Sequence, residues 1–92
     1  MKGTTMRYII VIETGRGNHA ASAPDVPGCI ATARSVPSVI REMKTALEWH
    51  MESLQEHGDP IPEPRTQTAS EAAAALPGDL IATVEVELPV RA

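Results

Sequence analysis

Ala23-Pro24-Asp25-Val26-Pro27-Gly28-Cys29 is a run that leaves the backbone few choices. Each proline presets its own φ and pushes the residue before it towards extended geometry, while Gly28 can supply a positive φ. The apolar stretch Tyr8 to Ile12 lies upstream, and Cys29-Ile30-Ala31 follows directly. The run therefore predicts a corner between two strands, and the rest of the chain can be placed around it.

Before the corner, Met6-Arg7-Tyr8-Ile9-Ile10-Val11-Ile12-Glu13 is β-branched and nearly continuously apolar. A strand of that kind is usually covered on both faces, so it belongs in the middle of its sheet. Gly15-Arg16-Gly17-Asn18 carries hairpin chemistry, and His19 to Ala23 returns as a second strand of small residues. Cys29 to Arg34 makes the third.

After the third strand, Ser35 is a good helix N-cap and Pro37 is tolerated in a first turn. Apolar residues from Val36 to Leu54 recur at helical spacing, Gly58 sits where a helix stops, and Pro60 prevents its resumption. Residues 59–67 read as a Pro-rich, semi-rigid connector, and residues 1–5 as a flexible N-terminus. Ser70 to Leu76 suggests a short second helix. Leu80 to Leu88 alternates cleanly, with Leu80, Ala82, Val84, Val86 and Leu88 inward and Glu85 and Glu87 outward.

The order is βββα(α)β in a single domain over residues 1–92. It predicts a two-layer α+β fold, with one main helix packed on one face of a four-stranded mixed sheet. A strand reached through a helical crossover is expected to run parallel to its neighbour, here Tyr8–Ile12. Ile9 and Val11 then fall on the face away from the helix. The core is small and aromatic-poor, with Tyr8 and Trp49 the two aromatic residues. Together these features predict a homodimer or higher oligomer, with Ile9, Val11 and Trp49 as interface residues.

Charge is divided unevenly. Residues 1–41 carry +3 and residues 42–92 carry −7, for a total of −4. An acidic half disfavours phosphate and suits a basic protein partner. There is no stripe of Lys and Arg interleaved with aromatics, so direct nucleic-acid binding is not expected. A single cysteine excludes an internal disulfide, no signal peptide is visible, and no apolar run approaches the roughly 20 residues of a membrane span. A cytoplasmic protein that does not engage membranes is expected.

The chain resembles the HicB antitoxin family, specifically its HicB-like N-terminal domain. The residues that carry the resemblance are Tyr8-Ile9-Ile10-Val11-Ile12-Glu13, Pro24-Asp25-Val26-Pro27-Gly28-Cys29, and Ala46 to Leu54. Gly58-Asp59-Pro60-Ile61-Pro62-Glu63-Pro64 and a final strand with Val84-Glu85-Val86 complete it. The resemblance implies a partial ribonuclease H-like fold, oligomerisation, and binding to a small basic RNA-cleaving toxin of HicA type whose active site is blocked. Family members often add a C-terminal DNA-binding domain. This sequence stops at Ala92, so operator binding is not expected.

Two catalytic readings stand beside these. Glu13, Glu48 and Glu85 are candidates for a ribonuclease H-like metal site, but Ile-Val occupies the middle of the first strand where a metal-binding Asp would be wanted. Cys29 with His19 or His50 is a candidate nucleophile and base, against which a lone Cys opening a strand is usually a small buried hydrophobe. The expectation is a non-catalytic protein without metal or cofactor. Partner contact falls to the rigid corner, Asp25, Val26, Pro27 and Gly28, and to the helix residues Glu48, Trp49, Glu52 and Glu56. For Trp49 two readings stand: cover by the connector or the Ala72–Leu76 helix, or contact with another chain. The alternative to an antitoxin is an orphan oligomeric regulatory or scaffold protein of the same fold.

Overall fold

The computed structural model describes residues 4–65 and 79–88. The elements are β1 (Thr4–Gly15), β2 (Asn18–Ala23), β3 (Val26–Ala33), α1 (Val36–Glu56) and β4 (Leu80–Leu88). β1 takes in Thr4 and Thr5, which the sequence assigned to a loose N-terminus. The Ser70–Leu76 helix and the last part of the 59–67 connector lie outside the described residues.

The sheet order is β3-β2-β1-β4, so β1 is an inner strand, as its apolar run predicted. β1 and β2 join through Arg16-Gly17, with Gly15 opposite Asn18. β4 does lie beside β1, but it runs antiparallel: Thr4 faces Leu88 and Ile12 faces Leu80. All three pairings are antiparallel, so the sheet is not mixed as expected. The reason lies in the connector. α1 returns the chain to the end of the sheet where β1 begins, and a short link there would give a parallel strand. The chain from His57 to Asp79 is instead long enough to run the length of the sheet and enter β4 from the far end. At about 3.3 Å per extended residue its reach is more than twice the roughly 30 Å needed.

Both ends of α1 are built from the expected residues. Ser35 Oγ accepts from the Ser38 amide at 3.2 Å, with Pro37 in the first turn. At the other end Gly58 adopts φ +71°. Its amide bonds the Gln55 carbonyl at 3.1 Å and the Asp59 amide reaches the Leu54 carbonyl at 2.8 Å. This is a Schellman closure, which only a left-handed residue allows. Val39, Met43, Leu47 and Met51, each four residues apart, are wholly buried on one stripe of the helix. They share one cluster with Tyr8, Ile10 and Ile12 of β1, Ala21 and Ala23 of β2, Val26 and Cys29 of β3, and Val84, Val86 and Leu88 of β4. Each fully buried large side chain contributes about 1.5–3 kcal/mol. Leu80, at 43% exposed, departs from the inward pattern because it stands at the first position of an edge strand.

Candidate binding surfaces

The corner is tighter than the sequence suggested. Ala23 pairs with Val26, leaving only Pro24-Asp25 as the turn, and the register then jumps so that Ser22 faces Ile30. Pro27, Gly28 and Cys29 form the resulting bulge. Gly28 has φ +86°, and a Cβ there would meet open space, so the dihedral and not crowding selects glycine. Of the four corner residues expected to meet a partner, Pro27 and Gly28 are exposed and Asp25 is half-buried. Val26 is 1% exposed, so its side chain belongs to the core and it offers a partner backbone alone.

The corner also meets the Pro-rich connector. Pro24, Asp25 and Pro27 on one side and Pro62, Glu63 and Arg65 on the other enclose an open groove of about 270 Å³. Tyr8 ties these parts together, because its hydroxyl donates to the Pro62 carbonyl. Burial, and secondarily the charge of Asp25, raises the Tyr8 pKa above its usual value. Sequence reasoning gave Tyr8 only a place in the strand. The signal was there: a tyrosine in an otherwise aliphatic buried run needs a hydrogen-bond partner for its hydroxyl.

The helix supplies the second surface. Trp49 is 71% exposed. The described part of the connector leaves it open, and the Ala72–Leu76 segment lies outside the described residues. Beside it, α1 and β3 border an open groove of about 250 Å³, lined by Ile30, Ala31 and Thr32 from β3 and by Glu42, Ala46 and Trp49 from α1. At 100° per residue, Glu42, Glu52 and Glu56 fall within about 60° of Trp49 on the helix. Glu48 lies about 100° away and is half-buried. None of these four carboxylates takes part in an ion pair among the described residues. Ile30, 68% exposed, was missed as a surface residue, although the alternation Cys29 inward, Ile30 outward announces it.

On the opposite face of the sheet, Ile9 and Val11 cluster with Ile81. Each is already 6% exposed within the single chain, and Ile81 of β4 packs against them. Trp49 stands on the helical side, so it cannot share one flat interface with Ile9 and Val11. Arg7 and Glu85 form an exposed ion pair across β1 and β4 at 3.1 Å.

Glu13, Glu48 and Glu85 are not brought together, and neither are Cys29 and His19. Glu85 lies opposite Arg7, whereas Glu13 is six residues further along β1, about 20 Å away, and Glu48 is on the helix. His19 faces Ala33, four residues along β3 from Cys29, a separation of about 13 Å. Burial raises the Cys29 thiol pKa, so it stays protonated and a poor nucleophile at neutral pH. Among the described residues, no three His, Cys, Asp or Glu side chains are placed to hold a metal ion. No described helix is long and apolar enough to cross a membrane.

Fold and surfaces together define a small two-layer α+β domain that presents a rigid corner and an acidic, aromatic-bearing helix. The chain belongs to the HicB-like antitoxin family: the family model described as HicB-like antitoxin of bacterial toxin-antitoxin system matches residues 8–91. The crystal structure of the N-terminal domain of Burkholderia pseudomallei antitoxin HicB is 26% identical, with a TM-score of 0.75 over 90% of this chain and 100% of that one. A chain of the HicA3 and HicB3 toxin-antitoxin complex shares the fold at 22% identity and a TM-score of 0.69, again over 90% of this chain and 100% of that one. A 14.9 kDa protein of the rep-hol intergenic region of Haemophilus phage HP1 is 31% identical over 58 residues, 63% of this chain and 44% of that protein. The chain thus spans less than half the length of the phage relative. UPF0150 protein Ta0767 of Thermoplasma acidophilum is 28% identical over 58 residues, 62% of this chain and 84% of its own length.

Proposed function

We propose that this chain is a non-catalytic cytoplasmic antitoxin that binds a small basic ribonuclease toxin of HicA type and masks its RNA-binding surface. The observation that carries this is the α1 face: an exposed Trp49 among Glu42, Glu52 and Glu56, carboxylates with no cationic partner of their own in the described residues. An exposed tryptophan ringed by unneutralised charge is an anchor with built-in electrostatic selectivity. The corner at Asp25, Pro27 and Gly28 is a rigid projection that can cover a cleft with little entropy lost on binding. Glu48 adds charge at the margin, and Val26 supports the corner from the core.

Co-expression with a HicA-type toxin, followed by affinity capture and an RNA-cleavage assay, tests this. A stoichiometric complex and suppressed cleavage are expected. Failure to form a complex at micromolar concentrations, or RNA turnover by the purified chain, contradicts it.

A second reading, an oligomeric scaffold of the same fold, draws on the open sheet face. There Ile81, half-buried over the buried Ile9 and Val11, offers a second copy an apolar contact. Light scattering after size exclusion distinguishes a monomer from a self-associated form.

A further inference from the structure

We infer that the partner docks by strand addition: an extended basic segment pairs with the free edge of β3 and lies in the groove between that edge and α1. This rests on the antitoxin reading for the identity of the partner and deepens it by naming the docking mode.

β3 is a terminal strand of the sheet, so one side of its backbone is unpaired among the described residues. Sheet edges are normally blunted by charge, proline or a bulge, because a bare edge pairs with whatever strand arrives. The bulge at Pro27-Gly28 protects only the start of β3. From Cys29 to Ala33 the sequence Cys-Ile-Ala-Thr-Ala carries no charge and no proline. The other terminal strand differs, since β4 carries Glu85 and Glu87 at alternate positions. One edge is guarded and the other is not.

The groove beside the unguarded edge has the features a fifth strand requires. Ile30, 68% exposed, borders the sheet side, and Trp49, 71% exposed, borders the helix side. Ala31, Thr32 and Ala46 between them are small enough to admit an incoming side chain. In strand addition, main-chain hydrogen bonds give affinity and pockets for alternate side chains give specificity. Incoming side chains on the helical face pack against Trp49 over Ala31 and Ala46, and those at alternate positions pack against Ile30 on the other face.

Charge decides the occupant. Glu42 lines the groove, and Glu52 and Glu56 share the helix face with Trp49. A second copy paired through the same edge would bring two such faces towards each other, and like charges held close are destabilising. A segment that alternates Lys or Arg with aliphatic residues satisfies both groove and rim. The occupant is therefore a basic strand of a partner protein, not another copy of this chain.

The experiment uses the full chain, isotopically labelled, and three capped octapeptides as probes. One alternates lysine and valine, one replaces lysine by glutamate, and one keeps the lysines but is N-methylated at every second amide. The lysine peptide is expected to slow hydrogen exchange at Cys29–Ala33 at least tenfold, while the other two leave it unchanged. Ile30→Lys and Trp49→Ala each weaken its binding at least tenfold; both side chains are exposed, so the fold survives. Equal binding by the N-methylated peptide would show simple charge attraction and overturn the inference. So would protection at Ile9–Val11 instead of β3, or a β3 edge closed by a second copy. Capture of the HicA-type toxin by the Ile30→Lys chain at undiminished affinity overturns the docking mode and leaves the antitoxin reading standing. Peptide docking at β3 without toxin capture does the reverse.

Discussion

Tyr8 shows how much one hydroxyl organises. It stands in the central strand, yet its oxygen binds the Pro62 carbonyl of a connector far along the chain and feels the charge of Asp25 in the corner. Tyr8→Phe keeps the ring in the core and leaves that carbonyl without its donor. A loss of about 1–3 kcal/mol in chemical denaturation is expected, with looser amide exchange at Ile61–Glu63. Tyr8 and Cys29 also set an alkaline limit. Both pKa values are raised in the folded chain, burial being the main cause in each. The folded state thus holds both protons more tightly than the unfolded state, and the stability this gives is present below the unfolded pKa values. It is lost as pH rises through the folded ones. Denaturation midpoints should be level near neutrality and fall from about pH 9 upward, and Tyr8→Phe with Cys29→Ala should flatten that fall. At the corner, Gly28→Ala forces a side chain into φ +86° and should cost about 1 kcal/mol or more although nothing crowds it.

Among the elements, α1 is the most legible in sequence because its signals are local. Ser35, Pro37 and Gly58 mark its ends within a turn of where they act, and Val39, Met43, Leu47 and Met51 declare its buried face by period alone. Ser35→Ala should destabilise the fold by about 1 kcal/mol, and Leu47→Ala by about 2–5 kcal/mol, both measurable by denaturant melts. The alternation of β4 and the hairpin at Arg16-Gly17 were equally plain. The direction of β4 was not, because period and propensity describe an element and not the path by which the chain reaches it. A long crossover can end at either end of a sheet, and only the strand pairing shows which. The corner was legible in kind but not in detail: Val26 turned inward because strand pairing resumes right after Asp25. Ile30 and Trp49 were each visible, but the groove they form depends on α1 lying against β3, a contact no local window contains.

For the whole molecule, the two sides of the sheet take different roles. The helical side holds the core, the acidic face and the unguarded β3 edge; the open side carries a small apolar cluster beside the Arg7–Glu85 pair. Charge separation along the chain becomes charge separation in space, because α1 gathers Glu42, Glu52 and Glu56 on one face. Binding that depends on this face should weaken as salt is raised from low to physiological strength and beyond, since exposed charges are screened over about 8–10 Å. On the function proposed, this chain works by occupying a basic partner through the α1 face. The most direct test is titration of the chain into a HicA-type toxin cleaving RNA, beside the triple variant Glu42→Lys, Glu52→Lys, Glu56→Lys. The unaltered chain should stop cleavage at equal stoichiometry, and the variant, folded to the same melting temperature within a few degrees, should need at least a hundredfold higher concentration. Equal inhibition by both chains would contradict it.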